Sequence, residues 1–180
     1  MTIPQIETQR LHLRALRPSD LQAHHAAIGS DPQVTWSGKT VTLEKSRENI
    51  ENRLKHWETH GFGMWAVVTK EDGTLLGHAG LQQLEDTDEV EIGYYFGQKA
   101  WGHGYATEAG EAALRYGFEE LHLSCIVAVV RTENAASQHV LTKLGLRHTR
   151  DEPHYGFDVQ VWEIKADQFA PGDSFYRVTR

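Results

Sequence analysis

The sequence predicts an α+β fold in which one mixed β-sheet carries helices on both faces. Three observations lead there. Apolar periodicity changes along the chain in the order strand, two helices, three strands, helix, strand, helix, strands. Asp72-Gly73, set between two short apolar runs, is a strong hairpin signal in the middle of that order. A length of 180 residues with 39% hydrophobic content suits a single domain, here taken as residues 1–180, with a sizeable core.

Each element follows from local pattern. Thr8 to Arg14 alternates apolar and polar residues and reads as a strand, after which Pro18-Ser19-Asp20 opens a helix bearing Leu21, Ala26, Ala27 and Ile28. A second helix is predicted from about Leu43 to Trp57. Leu43, Ile50, Leu54 and Trp57 mark one face, charged residues fill the others, and Gly61 and Gly63 end it. Met64 to Thr69 and Thr74 to Leu81 form the hairpin around Asp72-Gly73. Beyond a polar loop, Glu89 to Phe96 alternates, with Val90, Ile92, Tyr94 and Phe96 on one face and Glu89, Glu91, Gly93 and Tyr95 on the other. A helix over Tyr105 to Glu119 carries Ala106, Ala109, Gly110, Ala113 and Gly117 at spacings of three and four, a face suited to close packing on a sheet. Each interior glycine costs up to ~1 kcal/mol against alanine, so something other than propensity keeps that face small. The β-branched run Leu123 to Val130 reads as a buried strand. A helix from Asn134 to Leu144 follows, stopped by Gly145 with Leu146 as its hydrophobic partner. His148 to Lys165 gives one or two strands, and the tail after Pro171 reads as loosely held.

Composition narrows the function. A formal charge of −7 and a pI near 5.9 argue against nucleic acid, whose phosphates require an excess of Lys and Arg, and suit a cationic partner. The one cysteine, Cys125, lies in an apolar run and reads as core, so a reduced cytoplasm is the expected compartment. No stretch nears the ~20 apolar residues of a membrane span, and no signal pattern opens the chain; a soluble protein with no membrane partner is expected. Eleven histidines include the pair His56 and His60 and the neighbours His24 and His25, but neither has a third ligand in a recognisable pattern, so no metal is expected.

The most informative segment is the turn Trp101-Gly102-His103-Gly104-Tyr105-Ala106. Between a strand and a helix, Gly102 and Gly104 can take backbone angles closed to other residues and expose free N–H groups at the positive end of the helix dipole, where a polyphosphate fits. Dinucleotide and P-loop readings are disfavoured, because no Gly-x-Gly-x-x-Gly lies near the first strand and no Gly-Lys-Ser/Thr occurs.

Tyr94 through Ala109 resembles the acetyl-CoA-binding motif of GNAT N-acetyltransferases, in particular the RimJ/RimL-like branch. Ile6 to Arg14 resembles that branch's first strand, and Glu133-Asn134-Ala135-Ala136-Ser137 through Leu146 its second cofactor-side motif. The resemblance spans roughly residues 6 to 165 and departs from the superfamily pattern at Trp101, where Gln or Arg is usual. It implies a mostly antiparallel sheet of about seven strands flanked by about four helices, with acetyl-CoA as co-substrate. It further implies that Gly102, His103, Gly104, Tyr105, Ala106 and Thr107 present amides to the pyrophosphate. The strand edge at Tyr94, Tyr95 and Phe96 would bind the pantetheine arm, and Asn134 would reach the cofactor from the next helix. As a helix N-cap, Asn134 has an equally good structural role.

In such a family the acceptor amine attacks the thioester directly, in a ternary complex. An alkylamine has a pKa near ~10 and an α-amine near ~8, so a base matters more for the former. Glu91 is the first candidate, since it shares a face with Tyr95 on the strand before the turn; a surface carboxylate is the alternative. The acid loop Glu85, Asp86, Asp88, Glu89 and Glu91 attracts cations or is simply solvated. Leu141 stands where many of these enzymes place an acid tyrosine. The resemblance implies that Ser137, one turn beyond Asn134, contacts the CoA sulfur; closing the first turn of its helix is the alternative role. Trp36, Phe62, Trp65, His154 and Tyr155 could line an acceptor pocket or belong to the core. The acceptor is thus a primary amine, on a small molecule or a protein N-terminus. The rival is an acyl-CoA-binding sensor or structural module without turnover. Oligomeric state, a homodimer included, is left open by the sequence.

Overall fold

The structure, a computed structural model, describes residues 2–180. Its centre is a nine-stranded sheet built from β1 (Gln5–Thr8), β2 (Leu11–Arg14), β3 (Met64–Thr69), β4 (Leu75–Gln83), β5 (Val90–Phe96), β6 (Cys125–Arg131), β7 (Arg147–His154), β8 (Phe157–Lys165) and β9 (Tyr176–Thr179). The spatial order is β7-β8-β6-β5-β4-β3-β2-β1-β9. Every neighbouring pair is antiparallel except β5 and β6. Four helices complete the fold: α1 (Leu21–His24), α2 (Leu43–His60), α3 (Tyr105–Arg115) and α4 (Ala135–Lys143).

Strand alternation divides the core in two. Trp65 and Val67 of β3, with Ala79 and Leu81 of β4 and Ile92 of β5, face the small side of α3 (Ala109, Ala112, Ala113) and Leu141 of α4. Ala66, between Trp65 and Val67, points the other way, to Leu16, Leu21 and Ile50 beneath α1 and α2. The small residues of α3 and of the turn that follows it are explained by contact: a Cβ on Gly110 would lie 2.7 Å from Leu144 Cδ1, and one on Gly117, just past the helix, 2.6 Å from Ile126 Cδ1.

Local signals hold well. Helix α2 starts at Thr42, whose side chain accepts from the Lys45 amide, and runs to His60 before the cap at Gly61, one turn beyond the expected Trp57. Helix α4 ends as expected: Leu146 N donates to Leu141 O and Gly145 N to Thr142 O, with Gly145 at φ 89°.

Three expectations need correction. The sheet has nine strands rather than about seven. One of the two extra strands comes from splitting Thr8–Arg14: Thr8 ends β1, Gln9 and Arg10 turn, and Leu11 begins β2, which pairs back with Ile6 opposite Leu13. The tail after Pro171 is not loose, because β9 pairs with β1 from Gln5 opposite Thr179 to Thr8 opposite Tyr176, and Arg177 Nη2 lies 3.0 Å from Glu7. Helix α3 gives way at Tyr116 to a wider π-type turn, Tyr116–Glu120. Of the two roles open to Trp65, the core one holds: it is wholly buried, with its indole N–H donated to Pro4 O at 2.7 Å.

Candidate active site

Strands β5 and β6 run parallel and share one bridging pair, Glu91 opposite Val127. Beyond it they part. The edge of β5 from Ile92 to Phe96 is paired with β4 on one side and has no strand partner on the other among the described residues. A wedge opens between the carboxyl ends of parallel strands, the place where open sheets present main-chain groups to ligands.

The glycine turn stands at the end of β5. Gly102 and Gly104 have φ 77° and 78°, and Gly104 is the N-cap of α3. The turn is held firmly. Trp101 donates its indole N–H to Phe96 O at 2.8 Å, tying the turn back to the strand. From the other side, Glu108 in the first turn of α3 accepts from Thr8 Oγ1 (2.7 Å), Arg10 N (2.8 Å) and Arg10 Nε (2.7 Å), while Arg10 Nη1 donates to His103 O at 2.8 Å. Those donors hold the Glu108 carboxyl below its ordinary range despite burial. Thus the β1–β2 tip grips the turn through Arg10 and Glu108, neither of which the sequence pattern marked.

Across the wedge, Asn134 is the N-cap of α4 and is exposed; its Oδ1 accepts from Ser137 N at 3.1 Å. Ser137 Oγ lies 2.9 Å from Tyr94 Oη, and burial pushes the Tyr94 phenol up to about 12. A tyrosine hydroxyl therefore stands at this point of the wedge, delivered by β5 rather than by the helical position that Leu141 fills; Leu141 is buried.

On the opposite face of the sheet, Gln82 pairs with Glu91, Gly80 with Gly93 and His78 with Tyr95. Glu91 is only 2% exposed. Its Oε1 accepts from Gln82 Nε2 at 2.5 Å and from the Tyr155 hydroxyl. Burial raises the Glu91 carboxyl above its usual range, against the lowering effect of these two donors. Tyr155 sits on the β7–β8 turn at φ 51°, a backbone region unfavourable for a tyrosine, where its N donates to Glu85 Oε2 and its O accepts from Trp36 Nε1. Trp36 also meets the Tyr155 ring edge-on at 5.9 Å.

Beside Glu91, Asn49, Asn52, Arg53 and His56 of α2, with Met64 and Gln82, line a cavity of about 300 Å³. His56 is a structural pin: Nδ1 lies 2.8 Å from Phe62 O, and Nε2 accepts from Gln83 N at 3.1 Å. Phe62 itself packs on His56 and His60. No group of three or more His, Cys, Asp or Glu among the described residues is arranged to hold a metal ion. Cys125 is half-buried rather than core, and burial raises its thiol.

Next to that cavity, His24 of α1 and His78 stack with ring centroids 5.0 Å apart and Nε2 of His24 2.9 Å from Nδ1 of His78. Burial lowers His24 to about 4 and His78 well below its ordinary value. Both are neutral in the fold, whereas the unfolded chain binds protons below about pH 6.5. Their stabilisation is complete above that pH and is lost as pH falls below it, for His24 down to about 4. We expect the unfolding midpoint to drop between pH 7 and pH 5.5, with a slope approaching about 1.4 kcal/mol per pH unit for each histidine at the low end. Replacing both with leucine should flatten this part of the curve; an unchanged slope in thermal melts would assign the effect elsewhere.

Residues 10–147 match the Acetyltransferase (GNAT) domain family. The chain belongs to the GNAT family. It is 30% identical over 162 residues to Uncharacterized protein YkkB of Bacillus subtilis, covering 88% of this chain and 94% of that one. It is 35% identical over 158 residues to FsC-acetyl coenzyme A-N(2)-transacetylase of Aspergillus fumigatus, covering 81% of this chain and 66% of the relative. Among solved structures, an acetyltransferase from Agrobacterium tumefaciens matches with a TM-score of 0.81 at 27% identity, over 91% of this chain and 95% of that one. The protein is a GNAT N-acetyltransferase dependent on acyl-CoA. No helix of this GNAT chain among the described residues is long and apolar enough to cross a membrane.

Proposed function

We propose that this GNAT protein moves the acetyl group of acetyl-CoA to a primary amine by direct attack within a ternary complex. The single observation that carries it is the wedge: two parallel strands joined at Glu91 and Val127, a fixed glycine turn at its mouth and Glu91 at its root.

The unpaired edge of β5, from Tyr94 to Phe96, offers main-chain donors and acceptors to the pantetheine arm, as an added strand would use them. Phe96 O already accepts from Trp101, so Tyr94 and Tyr95 carry more of this role. Amides of Gly102, His103, Gly104, Tyr105, Ala106 and Thr107 converge at the N-terminus of α3, where the dipole favours the pyrophosphate. Asn134, already the N-cap of α4, is exposed beside it.

Acetyl-CoA supplies the thioester, whose thiol has a pKa of only ~8.5, so the leaving group needs modest help. That help is assigned to the Ser137–Tyr94 hydroxyl pair. Glu91 takes the amine's proton through the Tyr155 hydroxyl or a water, because at 2% exposure it does not meet an acceptor openly. The acceptor enters from the α2 side, toward the cavity beside Gln82.

Thiol release should appear when acetyl-CoA is mixed with the protein and a panel of alkylamines, amino acids and peptides, and should depend on the amine. CoA binding with no release from any acceptor would favour a sensor or structural module instead.

A further inference from the structure

We infer that the acceptor carries a carboxylate next to its amine, and that Arg53 binds it. The inference rests on the acetyl-transfer reading above and narrows its acceptor.

Among the described residues Arg53 is the one cation lining the 300 Å³ cavity, with Asn49, Asn52, His56, Met64 and Gln82. It makes no hydrogen bond or ion pair among the described residues, and its Nε is sealed from solvent without a partner. A guanidinium never sheds its charge, so such an arginine bears an unrelieved cost unless something in the cavity meets it. Its planar fork of donors matches a carboxylate held by two parallel bonds.

The opposite charge stands close by and is not used. Glu91 is near enough to act on Arg53 through space, yet its Oε1 is held by Gln82 and Tyr155, and the two side chains do not form an ion pair. The cation lines the cavity, while the carboxylate lies behind its Gln82 wall. Over Gly93 the sheet is covered by Met64, whose Cε would lie 2.7 Å from a Cβ there, so Met64 forms the apolar wall of the cavity. A zwitterion fits this pattern, ammonium toward Glu91 and carboxylate toward Arg53. The cavity volume lies at the small end of ligand sites, as a free amino acid requires. A protein N-terminus presents an amide carbonyl where the amino acid presents its carboxylate, and so meets the Arg53 fork less well.

The other charged and titratable groups around Arg53 leave it unpaired. His24, His56 and His78 are neutral by burial, and Tyr95, pushed up to about 12, keeps its proton at neutral pH.

The test pairs free α-amino acids and short ω-amino acids with their carboxamides and with peptides, in thiol release with acetyl-CoA. N-acetyl amino acids and their amides are titrated in parallel, by calorimetry, into CoA-saturated protein. The acids are expected to exceed the carboxamides by about ten-fold or more in kcat/KM, and their acetylated products to bind correspondingly tighter. In Arg53→Met both preferences should collapse while activity on the carboxamides persists and the unfolding midpoint does not fall, since no bond is lost. Equal use of acids and amides, no binding preference, or equal loss of both in Arg53→Met would overturn the assignment. Preferential binding of the acids without any thiol release would leave the Arg53 subsite standing and remove the catalytic reading.

Discussion

Gly104→Val is expected to weaken acetyl-CoA binding by about 100-fold or more in a chain that still folds. Volume is not the reason. A Cβ at Gly104 would have Arg10 Nη2 as its nearest neighbour at 3.5 Å, an ordinary contact. Conformation is: at φ 78° a β-branched residue is strained by at least about 1–2 kcal/mol, and the chain relieves this by rotating the turn. That rotation misaligns several amides at once, each worth about 1.5–3 kcal/mol against a charged phosphate. Arg10, Glu108 and Trp101 grip the turn from both sides, which keeps the damage local and the core intact. Calorimetric titration with CoA, alongside circular dichroism, measures this. Unchanged affinity in a folded variant would remove the turn from cofactor binding.

Glu91→Gln should lower kcat by about 100-fold and leave CoA affinity as it was. Glutamine keeps the shape and can still accept from Tyr155, so what is lost is the ability to take a proton. Because burial raises the Glu91 carboxyl, the wild-type rate should climb with pH as this group ionises, and the variant should lose that rising limb. Stability gives an independent sign. A carboxyl with a raised folded pKa holds a proton that the unfolded chain releases, so it costs stability as pH rises from about 4.5 through the folded value. At neutral pH the glutamine variant should therefore melt no lower than wild type, and above it if the cost is large. A slow variant that is also unstable, with its pH–rate profile unaltered, would make Glu91 structural.

What the sequence disclosed was mostly what neighbours in the chain decide. The alternation of Glu89 to Phe96, the glycine turn, the Asp72-Gly73 hairpin and the stop at Gly145 are short-range features, and the fold contains them all. The missed turn at Gln9 and Arg10 has no Gly, Pro or Asn to mark it. It is held by Glu108, 98 residues away, so the alternation of Thr8 to Arg14 runs through it unbroken. Strand β9 was illegible for the same reason, since its strand partner among the described residues is β1, at the other end of the chain.

The candidate site divides likewise. Glu91 was singled out, but its seal by Tyr155 joins residues 64 apart, and the Tyr94–Ser137 contact joins residues 43 apart. Arg53 left a trace that went unread: Asn49, Asn52, Arg53 and His56 repeat at helical spacing, a polar stripe hidden by the charged residues on the rest of α2.

That stripe differs in kind from the wedge. Along β5 and at the start of α3 the exposed groups are main chain, which many sequences can supply without altering what they offer. The cavity wall is made of side chains, four of them on one face of one helix, clear of the parallel strands. Change in lineages descended from such a chain should therefore be uneven. A few substitutions along α2 can move the protein to a new acceptor in single steps while the donor half stays fit throughout, so this helix is the natural place to begin a directed library.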